Sequence, residues 1–76
     1  MTNTLLTRNE CLGVAQPEVV QLMAWIDLHD RPALTQFDPQ TGELVVYSIE
    51  IKAGKPVEVS ERIAATLQAA RAVLGY

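Results

Sequence analysis

The sequence predicts an α+β domain in which a helix, a three-stranded antiparallel meander and a second helix follow one another (α-β-β-β-α), with both helices on one sheet face. Three observations carry this expectation. An apolar stripe of helical period opens at Pro17 and stops before Pro32. An alternating run, Leu44 to Ile51, lies between two turn-forming segments, Asp38–Glu43 and Ala53–Gly54. An alanine-rich segment from Glu61 closes at Gly75.

Pro17 to about His29 reads as the first helix. Proline suits the first helical position, and Glu18 suits the positive end of the helix dipole. Val19, Leu22, Met23 and Ile26 recur at i, i+3, i+4 and i+7 on one face. Val20, Ala24 and Leu28 lie on another side, and Trp25 stands apart from both sets. That is more apolar surface than one docking stripe needs. Pro32 pushes Arg31 out of the helical region and ends the element.

A strand at Ala33 to Phe37 leads into Asp38-Pro39-Gln40-Thr41-Gly42-Glu43. Here Asp38 can bond the backbone ahead of it, Pro39 presets φ, and Gly42 accepts a positive φ. The longest strand is Leu44 to Ile51. Ser48 and Glu50 favour water, so Val45, Tyr47, Ile49 and Ile51 are assigned to the core face, and the strand is expected to pair on both sides. Pro56 to Val59 reads as a short edge strand, because Pro56 cannot donate to a ladder and Lys52 and Lys55 discourage foreign pairing. Ser60 is the expected N-cap of the last helix, Glu61 to about Leu74, whose stripe is Ile63, Leu67, Ala70 and Leu74.

Residues 1–76 are read as a single domain, with 1–16 as an irregular or short-helix N-terminal arm in which Thr7 and Glu10 could form a capping box. With 49% apolar and 20% charged residues the chain has the material for a core. It has no apolar run of the ~20 residues a membrane span requires. No basic start leads into an apolar stretch as in a signal peptide, so the expected location is cytoplasmic. Cys11 is the single cysteine, which rules out an intrachain disulfide.

The chemical inventory argues against several functions. The net charge is −3, and the six Lys and Arg residues are scattered, which is the opposite of a phosphate-binding surface. His29, the one histidine, is read as a solvated helix-end residue near Asp27 and Asp30. The carboxylates show no metal-ligand spacing, and the glycines are spread out rather than gathered into a phosphate loop. No catalytic, metal or cofactor site and no small-molecule ligand is implied, and an enzyme is not expected.

Leu12-Gly13-Val14-Ala15-Gln16-Pro17, followed by Val19, Val20 and Leu22, resembles part of a helix-turn-helix, a family in which a glycine turn and flanking apolar residues lock two helices. The resemblance, spanning residues 7–28, implies a nucleic-acid-binding regulator. The sequence departs from the pattern at Asn9, where a small apolar residue belongs, and in a second helix that carries Glu18 and no Lys or Arg. The order of elements and the run Ser60, Ala64, Ala69, Ala72 and Val73 also resemble the double-stranded-RNA-binding domain. The lysines and the loop histidine that serve that family's RNA contacts are missing here.

The leading expectation is therefore a small non-enzymatic protein-interaction module: a homodimer, or an adaptor or inhibitor that binds another protein. Val20, Trp25 and Leu28 are its expected partner-binding residues, because a bare second apolar face on the first helix would otherwise be an exposed patch.

Overall fold

The computed structural model describes residues 5–76, and residues 1–4 of the expected N-terminal arm lie outside them. The elements are α1 (Arg8–Cys11), α2 (Pro17–Asp27), β1 (Gln36–Phe37), β2 (Glu43–Lys52), β3 (Lys55–Ala64) and α3 (Leu67–Leu74). The strands form an open antiparallel sheet in the order β1-β2-β3. The α+β class and the α-β-β-β-α order are thus present, with α1 added ahead of them.

The N-terminal segment is tied down at three points. Leu6 exchanges two backbone hydrogen bonds with Phe37, at 2.8 and 2.7 Å, and so adds one bridge to the outer edge of β1. Glu10 closes back on Thr7, its Oε1 accepting from the Thr7 N–H at 3.1 Å and from the hydroxyl at 2.9 Å, which steadies the single turn of α1. Cys11 is fully buried against Met23.

In α2, Pro17 occupies the first turn as expected. Met23 and Ile26 are fully buried, and Val19 and Leu22 pack beside them. Asp30 then turns the chain at φ +57°, and Asp27 Oδ1 accepts the Thr35 N–H at 2.8 Å. These constraints leave little room for the strand expected from Ala33. β1 shrinks to Gln36–Phe37, and it pairs with β2 only at Leu44 and Val45. β2 is therefore not paired on both sides along its length.

The core face of β2 also differs from the expected one. Leu44 and Val46 are buried in the main cluster, and Phe37, Leu44 and Ile63 stand opposite one another across the three strands. Val45, one of the expected set, is buried as well, at 5% exposure, but outside that cluster. Met23 and Ile26 from α2 and Ala70 from α3 complete the main cluster, so both helices cover the same sheet face. Ile49 and Ile51, assigned to the core by alternation, are 51% and 70% exposed. The reason is length. A ten-residue strand rises about 33 Å, whereas the eleven residues of α2 span about 16 Å. Ser48 and Glu50 lie on the core face but beyond the end of the helical layer, so their polarity does not report which face is buried.

β3 runs to Ala64 instead of stopping at Val59, and α3 begins at Leu67 instead of Glu61. Ser60 is consequently a mid-strand residue opposite Tyr47, not a cap. Thr66 is the N-cap, accepting the Ala69 N–H at 3.2 Å. Alanine content and the Ile63/Leu67/Ala70 spacing favour a helix over this stretch, but pairing with Glu43–Val46 buries Ile63 and wins. Gly75 ends α3 as expected, at φ +90°, with Gly75 N–H to Ala72 O and Tyr76 N–H to Arg71 O bonds in the Schellman pattern.

The corrected core face makes a sharp contrast. Val46→Asp buries an unpaired carboxylate and should unfold the domain. Ile49→Asp should keep the fold at a cost of about 1 kcal/mol, the span of strand propensity. Circular dichroism melts of the two variants check this. The hairpin turn supplies a second test. Ala53 sits at φ +52° beside Gly54 at φ +77°, the type I′ geometry that favours Asn-Gly. Ala53→Asn should raise stability by up to about 1 kcal/mol, because alanine in the left-handed region is strained by a similar amount. The readout is the midpoint of urea unfolding.

Candidate functional site

The β2–β3 hairpin projects past the helices. Beyond Val45 it has no third strand among the described residues. On one face Tyr47 is half-buried, with its hydroxyl donating to Gln36 Oε1 at 2.6 Å. Ile49 and Ile51 follow it into solvent, opposite Glu58 and Pro56. On the other face Val57, 38% exposed, stands opposite Glu50, and Val59 opposite Ser48. Lys52 and Lys55 flank the tip. Lys52 Nζ approaches Glu50 at 3.9 Å, an exposed pair that does little to hold the tip. A two-stranded ribbon bare on both faces is marginal in water by itself.

The base of the hairpin is fixed by charge. Arg62 of β3 reaches across β2 to Asp38, Nη1 to Oδ2 at 2.8 Å, and to Glu43 Oε1 at 3.5 Å. Asp38 has no exposed surface. Its other oxygen accepts the Gln40 N–H at 2.9 Å, and its backbone accepts the Gly42 N–H, so the carboxylate is built into the turn. The Arg62 hydrogen bond, then the Gln40 N–H, hold the Asp38 carboxyl below the usual range. Arg62 is pushed up in turn, chiefly by its hydrogen bond to Asp38. Arg31 steadies the other edge by donating from Nη1 to the Tyr47 carbonyl at 3.4 Å.

The three residues expected to bind a partner are not alike in the structure. Val20 and Trp25 are half-buried and pack against the core, while Leu28 is 82% exposed. Trp25 lies edge-on to His29, ring centroids 4.7 Å apart, and tilted toward Tyr76 at 6.0 Å. His29 is not a free helix-end residue. Nδ1 pairs with the Trp25 carbonyl at 2.8 Å, which assigns the ring proton to that nitrogen, and Nε2 accepts from the Tyr76 hydroxyl at 2.9 Å. The signal for this contact was Gly75-Tyr76, since a Schellman end commonly places an apolar residue back against its neighbours.

Among the described residues no group of three or more His, Cys, Asp or Glu side chains is placed to hold a metal ion, and no helix is long and apolar enough to cross a membrane. Burial first, and the Glu10 charge second, push the Cys11 thiol up, away from the thiolate form that reacts. In the segment resembling a helix-turn-helix, the first helix is one turn long, Arg8–Cys11. No protein-family model, characterised protein or solved structure matches this chain. What the fold defines is an α+β domain with a projecting two-stranded hairpin.

The Asp38 clasp has a pH signature. Its carboxyl titrates lower in the folded chain than in the unfolded one. Its stabilising contribution is therefore complete above about pH 5 and is lost as pH falls from about 4 through the folded value. In thermal melts the advantage of the unmodified chain over Asp38→Asn should be constant from neutral pH down to that point and shrink below it. An advantage that grew on acidification would contradict the assignment.

Proposed function

We propose that this chain is a small, non-enzymatic protein-interaction module that works through the projecting hairpin. The observation that carries the reading is the exposure of Ile49 and Ile51 on a ribbon that its own helices do not reach. Apolar surface left on a two-stranded extension is stabilised when another chain covers it. The polar groups favour the same class. Both ring nitrogens of His29 are committed to structural hydrogen bonds, and Cys11, the last residue of α1, is buried. A nucleic-acid partner fits less well, because Arg31 and Arg62, two of the cations a basic stripe would need, are engaged within the chain.

The second apolar surface, on α2, is smaller than the sequence implies. Trp25 is half-covered by His29 and Tyr76, which leaves Leu28 as its exposed member. The hairpin and α2 are separated by a paired experiment on the purified chain and on its complexes from the native cell. Ile49→Ser/Ile51→Ser should abolish capture of a partner in pull-down, with the circular dichroism spectrum retained. Leu28→Ser should leave association intact. Loss of association only in the Leu28 variant would move the surface to α2, and a chain that associates with nothing would overturn the reading.

A further inference from the structure

The outer edge of β3 carries information that the exposed side chains do not. The two-residue turn makes Lys52 and Lys55 a hydrogen-bonded pair, so alternate residues of β3 point both backbone groups toward β2. The residues between them, Pro56, Glu58, Ser60, Arg62 and Ala64, point theirs outward. The same parity runs through the rest of the sheet: Asp38 N–H reaches Glu43 O at 2.9 Å, and Phe37 bonds outward to Leu6. Among the described residues, the one backbone bond made by this outward row is from Thr66 N–H to Ala64 O, at 2.8 Å. Pro56 has no N–H to offer. The edge therefore presents a donor and an acceptor at each of Glu58, Ser60 and Arg62, an acceptor alone at Pro56 and a donor alone at Ala64.

We infer that the partner of this edge is a second copy of the chain, paired antiparallel through β3 about a two-fold axis at Ser60. This rests on the reading of the hairpin as an interaction element and names what its β3 edge binds. In that register Ser60 faces Ser60 of the other copy, Glu58 faces Arg62, and Pro56 faces Ala64. The missing Pro56 donor lies opposite the Ala64 carbonyl that Thr66 already satisfies, while the Pro56 carbonyl receives the free Ala64 N–H. About eight backbone hydrogen bonds form and no outward group of the row is left mismatched. Glu58 meets Arg62 twice; both internal contacts of Arg62 use Nη1, so its other N–H groups are spare. Centring the axis on Glu58, Glu61 or Arg62 sets like charges face to face, and centring it on Val59 sets Lys55 against Ile63.

The same register brings the Val57 face of the hairpin tip against the other copy and leaves Ile49 and Ile51 open on the opposite face. Residues 55–59 of one copy lie beside residues 61–65 of the other, where the helices begin to cover the sheet. Val57 comes opposite Ile63 at the margin of the other copy's core. The interface is isologous, so it closes on two chains.

Sedimentation equilibrium from micromolar to millimolar concentration should give a species of twice the 8.4 kDa chain mass. Ser60→Pro removes an outward N–H and no bond within the hairpin, and Pro56 shows that the strand accepts proline at an outward position. It should weaken the dimer about tenfold or more. Glu58→Arg, at an exposed site, should weaken it comparably and most at low salt. In the unmodified chain, amide exchange at Glu58, Ser60 and Arg62 should slow with rising concentration, while exchange at Val57, Val59 and Glu61 stays slow throughout. A chain that stays monomeric at millimolar concentration would overturn the inference. So would a dimer whose Glu58, Ser60 and Arg62 amides remain unprotected. In either case a partner still lost with Ile49→Ser/Ile51→Ser would leave the interaction reading standing, whereas association with nothing removes both. Failure of Ser60→Pro to fold leaves the exchange measurement and Glu58→Arg to decide.

Discussion

Every pairing in the hairpin is counted from the two-residue turn at Ala53–Gly54. Because side chains alternate with a period of two, a slip of one residue would carry Leu44, Val46 and Ile63 from the helix-covered face to the open one. The turn prevents that slip by requiring positive φ at two adjacent positions, a demand that Gly54 meets without cost and Ala53 meets under strain. The opposite end of the ribbon is held in the same register by Arg62, whose reach to Asp38 and Glu43 is possible only when Val45 lies opposite Arg62. Turn geometry and a charged clasp thus fix one alignment from both ends.

That alignment decides how far the core extends. α2 and α3 are eleven and eight residues long, and they cover the first few residue pairs of a ten-pair hairpin. Within the covered part Leu44, Val45 and Val46 are all buried, and Leu44 and Val46 face the helices. Past it both faces meet water, and apolar and polar residues alternate without either face being interior. The short β1 and the Leu6 bridge reinforce only the covered end. The buried core is therefore concentrated at one end of the hairpin, and the other end is bare.

This division explains what the sequence could and could not show. α2 was legible because its signals are local: a proline in the first turn, a stripe at helical spacing and a proline beyond the end. The tight turn at Ala53–Gly54 and the stop at Gly75 were legible for the same reason. The face of β2 is not legible from Ser48 and Glu50, because a polar residue marks the solvent side only under the helices, and these two lie beyond them. The length of β3 was misread because Ala64, Ala65 and the Ile63/Leu67 spacing carry a genuine helical preference, overruled by pairing with residues some twenty positions earlier. The Asp38–Arg62 clasp and the His29–Tyr76 contact join residues 24 and 47 positions apart, and no local pattern announces either. Of the surface, the excess of apolar residues was visible. That Ile49, Ile51 and Val57 of the hairpin belong to it depended on the register.

The placement of the edge-guarding residues bears on what such a surface would accept. Pro56 and the lysines at 52 and 55 sit at the tip, where a foreign strand would first find an unpaired backbone. Glu58 to Ala64 has no bulge or proline and keeps a regular ladder with β2. Guarding confined to one end leaves the edge open but restricts the alignments it can support, since any strand laid along it must tolerate a missing donor at Pro56 and an occupied acceptor at Ala64. A second β3 in antiparallel orientation meets both conditions at once, because each defect faces the other. The opposite edge of the sheet is closed at its covered end, and beyond Tyr47 the outward groups of Ile49 and Ile51 are unpaired among the described residues. Leu6 occupies the outer groups of Phe37, and Arg31 reaches the Tyr47 carbonyl. A six-stranded sheet formed about Ser60 would therefore present two partly closed edges, and growth beyond two chains would find no repeat of the surface that joined them.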